Sequence, residues 1–397
     1  MDITTKLDTL VAAAQFDTCG YSSPRQVSKD SPTRFIYRAV LPEGGTVCLF
    51  KVLMTNVCVN DCAYCVNQAG RDIRRSTFQP DELARVFTEL HDRRLVQGLF
   101  LSSGIGVNPS QTMEAMLKTV TILRSPRYAF KGYVHLKILP GARFDCVEEA
   151  CRLANRVSVN MEAPTAHHMS RLSLKKDLHN DIVERMRWVK QLTEKDSRLA
   201  PSGQTTQFVV GASDESDRDI LRTTSALYNE VDLRRAYFSA FQPVSHSRLQ
   251  DHLLTPLLRE HRLYQVDWLM RVYGFPLREV ELALDDSNNL PLKKDPKLII
   301  ARRQPWLFPV DINRAGTDDL LRVPGIGPIS AKRITDTSKQ HTISSLQQLQ
   351  KMGVVIRRAA GYIWFKGMAD YEKQLALMPE TSSATEAADE SLEAALV

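Results

Sequence analysis

The sequence predicts an α/β chain: six strand–helix repeats forming a parallel sheet or an open (β/α) barrel, then an all-α C-terminal piece. Two observations lead there. Short apolar segments alternate with helix-period stretches from about residue 46 to 241. After Pro243 that alternation stops, and only helical spacing and turn-rich connectors follow.

The strand segments are TVCLFKVLM (46–54), QGLFLSS (97–103), KGYVHLKI (131–138), RVSVNME (156–162), TTQFVVGA (205–212) and RRAYFSAF (234–241). Their apolar runs are of the kind that lies inside a parallel sheet. Between them, PDELARVFTELHDRR places Leu83, Val86, Phe87 and Leu90 on one helical face, with Pro80 suited to the first turn. Further helices are expected near 110–124, 145–154, 177–195 and 215–229. Such folds carry their chemistry at the C-terminal ends of the strands.

Residues 1–45 form an N-terminal extension with one possible helix, and 46–245 the barrel. In the helical extension, 246–310, residues 257–275 read as one helix ended by Gly274 and Pro276, and 285–309 as a connector. Residues 311–378 form the C-terminal helical domain, and 379–397 an acidic tail expected to be disordered.

The 397-residue chain is 43% hydrophobic and 25% charged, an ordinary composition for a globular protein. No apolar run approaches a membrane span, and the N-terminus lacks the basic start of a secretory signal. The expected compartment is the cytoplasm, where clustered cysteines point to metal or catalysis rather than disulfides. Net charge is +6, yet residues 379–397 carry five acidic groups and no basic one, leaving +11 on the remainder. That excess suits a polyanionic partner.

Directly after the first strand comes CVNDCAYC, with Cys58, Cys62 and Cys65. Three thiols on one short loop can converge on one small object, but they are one short of a closed tetrahedral site. No second cysteine pair follows, and a zinc site would need His135 or His167 as its fourth ligand. The alternative is a [4Fe-4S] cluster held at three irons, with the fourth open to a small molecule. Cys19, Cys48, Cys146 and Cys151 read as small buried hydrophobes, and His167-His168 as a surface pair.

The spacing C-x3-C-x2-C with Tyr64 before the last cysteine resembles the signature of the radical S-adenosylmethionine enzymes. The resemblance implies a (β/α)6 partial barrel, a [4Fe-4S] cluster and S-adenosylmethionine as cofactors, and reductive cleavage to a 5′-deoxyadenosyl radical. It also implies an electron donor such as flavodoxin or ferredoxin. By the same resemblance, Tyr64, Ser102, Ser103 and Gly104 would border the cosubstrate, although the family's usual Glu after the second strand is absent. Asn160 and Glu162 would reach its ribose or methionine part, and Gly211, with Tyr237 or Ser239, its adenine edge.

The runs CVNQAGRDIRRSTFQPDE, GLFLSSGI, EHRLYQVDWLMRVYGF and FPVDINRAG resemble one subfamily in particular, the DNA modification/repair radical SAM proteins with a C-terminal helix-hairpin-helix domain. That label implies a DNA partner and a neighbouring uracil-DNA-glycosylase-like protein. RNA (tRNA) modification and a non-enzymatic iron–sulfur nucleic-acid-binding role are the alternatives.

Residues 317–337 read as a helix N-capped by Thr317, a Pro324-Gly325-Ile326-Gly327 hairpin, and a second helix. Leu320, Leu321, Val323, Ile329, Ala331 and Ile334 are expected to face inward, and Lys332 and Arg333 outward. Backbone N–H groups at Gly325 and Gly327, beside Lys332 and Arg333, suit a phosphate. The segment resembles a helix-hairpin-helix motif, and a second, degenerate unit follows with SSLQQLQ and MGVV. Arg71, Arg74 and Arg75, just beyond the cysteines, are candidates for guiding a phosphate chain.

Overall fold

The computed structural model describes residues 2–14, 36–40 and 46–365. The acidic tail and most of the N-terminal extension, Cys19 included, lie outside the described residues. The chain divides into two compact units, residues 1–215 with 222–260, and residues 216–221 with 261–397. Among the described residues no helix is long and apolar enough to cross a membrane.

The first unit is a curled seven-stranded partial barrel in sequential order: β1 (Ile36–Val40), β2 (Thr46–Leu53), β3 (Gly98–Ser102), β4 (Tyr133–Lys137), β5 (Arg156–Ser158), β6 (Gln204–Val210) and β7 (Leu233–Ala240). The pairs from β2 to β7 are parallel, and β1 pairs antiparallel with β2 at one edge. The six expected strands are therefore present, and β1 is an addition with no periodic signal in the sequence. Helices α1 (Ile3–Ala14), α2 (Pro80–Asp92), α3 (Pro109–Arg124), α4 (Phe144–Leu153), α5 (Ala166–Leu172), α6 (Glu184–Lys195) and α7 (Asp217–Glu230) connect or cover the strands.

Local chemistry explains these boundaries. In α2, Pro80 takes the first helical position, and the Glu82 carboxylate accepts from the Gln79 N–H at 2.9 Å. Leu83, Val86 and Phe87 are buried, and Phe87 meets Phe130 edge-on at 4.8 Å. Before α3, Asn108 Oδ1 accepts from the Gln111 N–H at 2.9 Å, and Pro109 opens the helix. Where one helix is expected over 177–195, residues Leu178–Val183 instead form a π-helical turn before α6. Asp177 holds that turn, accepting from the N–H groups of His179 and Asn180. Cys146 and Cys151 are buried on α4 as expected, and burial pushes the Cys151 thiol up to about 12. Cys48 is only half-buried.

The second unit adds α8 (Leu257–Arg271, shared with the first unit), α9 (Leu277–Val280), α10 (Pro296–Arg303), α11 (Thr317–Arg322), α12 (Pro328–Ser338), α13 (Leu346–Lys351) and α14 (Ile356–Ala359). The expected connector 285–309 thus contains a helix, capped by Asp295 accepting from the Leu298 N–H at 3.0 Å. Two short strands, β8 (Val310–Asp311) and β9 (Ile363–Trp364), pair in parallel and tie the ends of this otherwise helical domain. The N-cap of α11 is Gly316, not Thr317, because the Asp319 carboxylate reaches back to the Gly316 N–H at 3.3 Å. Ile329 is 69% exposed rather than inward. The core is formed by Leu320, Val323, Ile326, Ala331, Ile334 and Leu349.

Candidate functional site

The cysteine loop leaves the C-terminal end of β2 and is fixed from both sides. Asn56 Oδ1 accepts from the Ser76 N–H at 2.7 Å, and its amide donates to the Arg74 carbonyl at 2.8 Å. Arg75 donates to the carbonyls of Asn56, Asn67, Gln68 and Arg71. One guanidinium thereby satisfies four carbonyls that a tight loop would leave unpaired. On the far side the loop is held by the segment after α5. Ala63 N–H donates to the Leu172 carbonyl at 2.9 Å, and Lys175 Nζ to the Val59 carbonyl at 2.6 Å. Asp61 accepts from Ser173 Oγ at 2.5 Å and from Leu174 N–H at 3.0 Å. Burial opposes ionisation of Asp61, but these hydrogen bonds hold its carboxyl below the ordinary range.

Cys62 is 5% exposed, and Cys58 and Cys65 are half-buried. Backbone N–H groups already point at two of the sulfurs, Ile105 to Cys58 Sγ at 3.5 Å and Asn67 to Cys65 Sγ at 3.4 Å. Hydrogen bonds of this kind tune an iron–sulfur cluster. Among the described residues, no group of three or more His, Cys, Asp or Glu side chains is gathered closely enough to hold a single metal ion. His135, weighed above as a zinc ligand, lies on β4 with its ring stacked on Phe100 at 4.1 Å. His167 is exposed at the start of α5.

Around the loop the strand ends supply polar groups. Ser102 is buried at the end of β3. The Ser103 hydroxyl oxygen is buried without a hydrogen-bond partner among the described residues. Gly104 donates its N–H to the Thr55 carbonyl at 2.7 Å, and a Cβ there would lie 2.5 Å from the Val57 carbonyl oxygen, so only glycine fits. Asn160 and Glu162 are 7% and 6% exposed beyond β5, with Glu162 in the left-handed region at φ 62°. Gly211, at φ +84°, follows β6 and donates its N–H to the buried Glu215 carboxylate. Tyr237 and Ser239 lie half-buried on β7. An orphaned buried hydroxyl at the strand end next to a loop of three thiols, two of which accept N–H···S contacts, is a donor set that fits a cluster with a small polar ligand next to it.

One residue of this neighbourhood has no motif to mark it. Lys176 Nζ lies 3.0 Å from Tyr64 Oη, 5.6 Å from the Tyr64 ring centroid and 3.7 Å from Glu162 Oε1. Burial pulls the Lys176 ammonium toward neutrality, but Cys62, Glu162 and Cys65 outweigh it and raise its pKa. Burial and the same negative groups push the Tyr64 phenol well above its usual value. No spacing in LSLKKDL distinguishes Lys176 from Lys175, which is spent on the Val59 carbonyl.

Of the three arginines expected to guide a phosphate chain, Arg75 is committed to loop carbonyls and Arg71 donates to the Val66 carbonyl at 3.2 Å. Arg74 is exposed and available. In the second unit the Val323–Gly327 hairpin joins α11 to α12. Gly325 is left-handed at φ +83°, and a Cβ there would sit 2.6 Å from the Val355 carbonyl oxygen. Gly327 is extended at φ −102°, so the left-handed requirement falls on Gly325 alone. A second hairpin repeats the geometry: Gly353 has φ +92°, and Val354 is buried as Ile326 is. The two meet through Val355 N–H donating to the Gly325 carbonyl at 2.9 Å. Lys332 and Arg333 are exposed on the first turns of α12, with Arg333 also donating to the Met352 carbonyl at 3.3 Å. Beneath the hairpin, Lys297 Nζ donates to the Ile326 carbonyl at 2.6 Å.

A family model described as helix-hairpin-helix motif matches residues 309–355. No curated protein matches the chain. Similar solved structures include HydG, a maturase of the FeFe-hydrogenase, at TM-score 0.44 and 13% identity over 55% of this chain and 49% of that one. HydG from Carboxydothermus hydrogenoformans gives TM-score 0.42 and 12% identity, over 55% and 50% of the two chains. Methylornithine synthase (PylB) gives 0.42 and 14%, over 68% and 66%. The match spans about half the length of either HydG chain, and likenesses this distant carry no conclusion about activity. The motif that a family model recognises in this chain is the helix-hairpin-helix of its second unit.

Proposed function

We propose that this chain is a radical S-adenosylmethionine enzyme acting on nucleic acid, with DNA as the substrate polymer. The observation that carries the reading is the three-cysteine loop at the C-terminal end of the first parallel strand, pinned by Arg75 and bordered by the partnerless Ser103 hydroxyl. Cys58, Cys62 and Cys65 would hold a [4Fe-4S] cluster, which when reduced supplies the electron that cleaves the sulfonium of S-adenosylmethionine. Ser103 would accept from the cosubstrate's amino group. Lys176, a buried cation next to Tyr64 and Glu162, would meet its carboxylate side.

The polymer is inferred from the second unit. Two packed hairpins with left-handed glycines and exposed Lys332 and Arg333 suit backbone phosphates rather than base edges. Chemistry on a base or sugar carbon would require that nucleotide to be unstacked or single-stranded.

Anaerobic reduction of the iron-loaded protein with S-adenosylmethionine tests the reading. It predicts 5′-deoxyadenosine from the parent chain and none from Cys62→Ala. Absence of 5′-deoxyadenosine from protein carrying its full iron would leave an iron–sulfur binding protein. Tighter binding to structured RNA than to DNA would transfer the reading to RNA.

A further inference from the structure

The Val323–Gly327 hairpin rests on a buried cation from outside the residues that match the helix-hairpin-helix motif. Lys297, on α10, is 9% exposed, and its Nζ donates to the Ile326 carbonyl at 2.6 Å. The Tyr273 ring covers the ammonium at 4.7 Å, and a Cβ at Gly327 would lie 3.3 Å from the Tyr273 hydroxyl. Asp295, the N-cap of the same helix, is turned to the Leu298 N–H and lies 3.8 Å from Arg358. Lys297 itself has no carboxylate within ion-pair distance among the described residues.

A trans peptide carries its C=O and N–H on opposite sides. Among the described residues the one cis peptide is Phe308-Pro309. The Ile326 carbonyl turns inward to Lys297, so the N–H of the same peptide, on Gly327, turns outward. Neighbouring groups are engaged within the fold. Ile326 N–H donates to the Val323 carbonyl at 3.2 Å, and the Gly325 carbonyl accepts from Val355. Gly327 N–H makes no hydrogen bond among the described residues and stands at the N-cap of the eleven-residue α12. Helix N-termini of this kind favour an anion. An ammonium on the carbonyl polarises the peptide and makes its N–H the stronger donor.

The cation is unfavourable to folding. A buried ammonium with one carbonyl partner is poorly solvated, and burial lowers its pKa to about 7. A methionine in its place would carry no such penalty. An anion on the far side of the peptide would offset it, because a buried charge is weakly screened.

We infer that Lys297 is a positioning residue for backbone phosphate: it holds the Gly327 N–H outward, and its charge and the bound phosphate stabilise each other. The inference rests on the nucleic-acid reading above and gives the hairpin contact a proton as well as a donor. Phosphate favours protonated Lys297, so the chain takes up a proton when it binds above neutral pH. Of the surrounding charges, Asp295 favours the ammonium and Arg358 on α14 opposes it. On α9, Glu279 is paired with Arg322 at 2.8 Å and Arg278 is exposed. Glu281 lies 3.9 Å from Arg218, and Arg303 donates to the Leu282 and Leu284 carbonyls. The hairpin segment Pro324–Gly327 has no titratable side chain.

The test is the affinity of the full iron-loaded chain for a duplex oligodeoxynucleotide, at fixed salt, from pH 6 to pH 9. A coupling of about tenfold raises the Lys297 value by about one unit on binding. Affinity is then full near pH 6 and about tenfold weaker by pH 9. Lys297→Met should bind about tenfold more weakly than the parent at pH 6 and equally at pH 9. A merely structural role would lower the variant by the same factor at every pH. Titration calorimetry in buffers of different ionisation enthalpy should show the parent taking up about half a proton near pH 7.5, and the variant less by that amount.

Parent binding that is independent of pH, with no proton uptake, overturns the inference without reliance on any variant, and leaves the nucleic-acid reading intact. A folded Lys297→Met chain that keeps the parent's pH dependence overturns it as well. A parent that binds neither DNA nor RNA at any pH removes both readings together. Tighter binding to structured RNA with the same pH dependence upholds Lys297 and changes only the polymer.

Discussion

Lys176 Nζ lies 3.0 Å from Tyr64 Oη and 3.7 Å from Glu162 Oε1, with the Lys176 and Glu162 side chains each 8% exposed. The pair ties the cysteine loop to the backbone beyond β5. Removing one partner of a buried ion pair strands the other charge, at a cost of about 3–5 kcal/mol. Lys176→Met should lower the stability of the first unit by that amount, and Lys176→Met/Glu162→Gln should restore most of it. Urea unfolding of the four members of this cycle measures the coupling. Additive losses would mean that the two charges are independent.

Arg75 should matter more to iron content than its exposed neighbour. Each of its four carbonyl contacts is worth about 1 kcal/mol, so Arg75→Ala loosens the cysteine loop by roughly 4 kcal/mol in all. Iron per chain after anaerobic reconstitution is expected to fall for Arg75→Ala and to stay at the parent level for Arg74→Ala. The reverse ordering would contradict the loop-pinning role.

The hairpin of the second unit offers two separable changes. Gly325→Ala places a Cβ against the Val355 carbonyl at φ +83° and should cost about 1–3 kcal/mol of stability. Lys332→Ala removes a charge and no contact of the core. It should weaken binding evenly across DNA sequences and reduce the slope of log K against log salt by about 1. An unchanged slope would point to a protein-contact role for this face.

Lys297 gives the second unit a pH signature. Burial, assisted by Arg358 and opposed by Asp295, lowers its pKa from 10.5 to about 7. Between those values the unfolded chain holds a proton that the folded chain releases, so stability rises with pH across the window. The rise amounts to about 5 kcal/mol at most, and the penalty is constant below pH 7. Hydrogen-exchange protection around residues 323–334 of the full chain, corrected for intrinsic rates, should increase from pH 7 to pH 9. Lys297→Met should flatten that dependence.

Much of this arrangement can be read from residues alone. The six parallel strands are visible because each is a short, largely apolar run between helix-period stretches, and CVNDCAYC is visible because three cysteines crowd one loop. Strand β1 is short, lies at an edge and owes its place to pairing with β2. Lys176 follows no periodicity, and its role is set by the approach of two loops distant in sequence. In the hairpin, PGIG is recognisable, but which glycine is left-handed depends on the second hairpin packing against Gly325. Ile329, apolar and in helical register, is exposed because the α12 N-terminus lies at the surface.

The central claim is hydrogen abstraction from a nucleic acid, and isotope transfer measures it most directly. Oligodeoxynucleotides deuterated at sugar and base carbons would be incubated anaerobically with the iron-loaded chain, reductant and S-adenosylmethionine. The account predicts deuterium in the 5′-deoxyadenosine that forms, lost in Cys62→Ala. Abundant 5′-deoxyadenosine that carries no deuterium from any labelled strand, DNA or RNA, would contradict it.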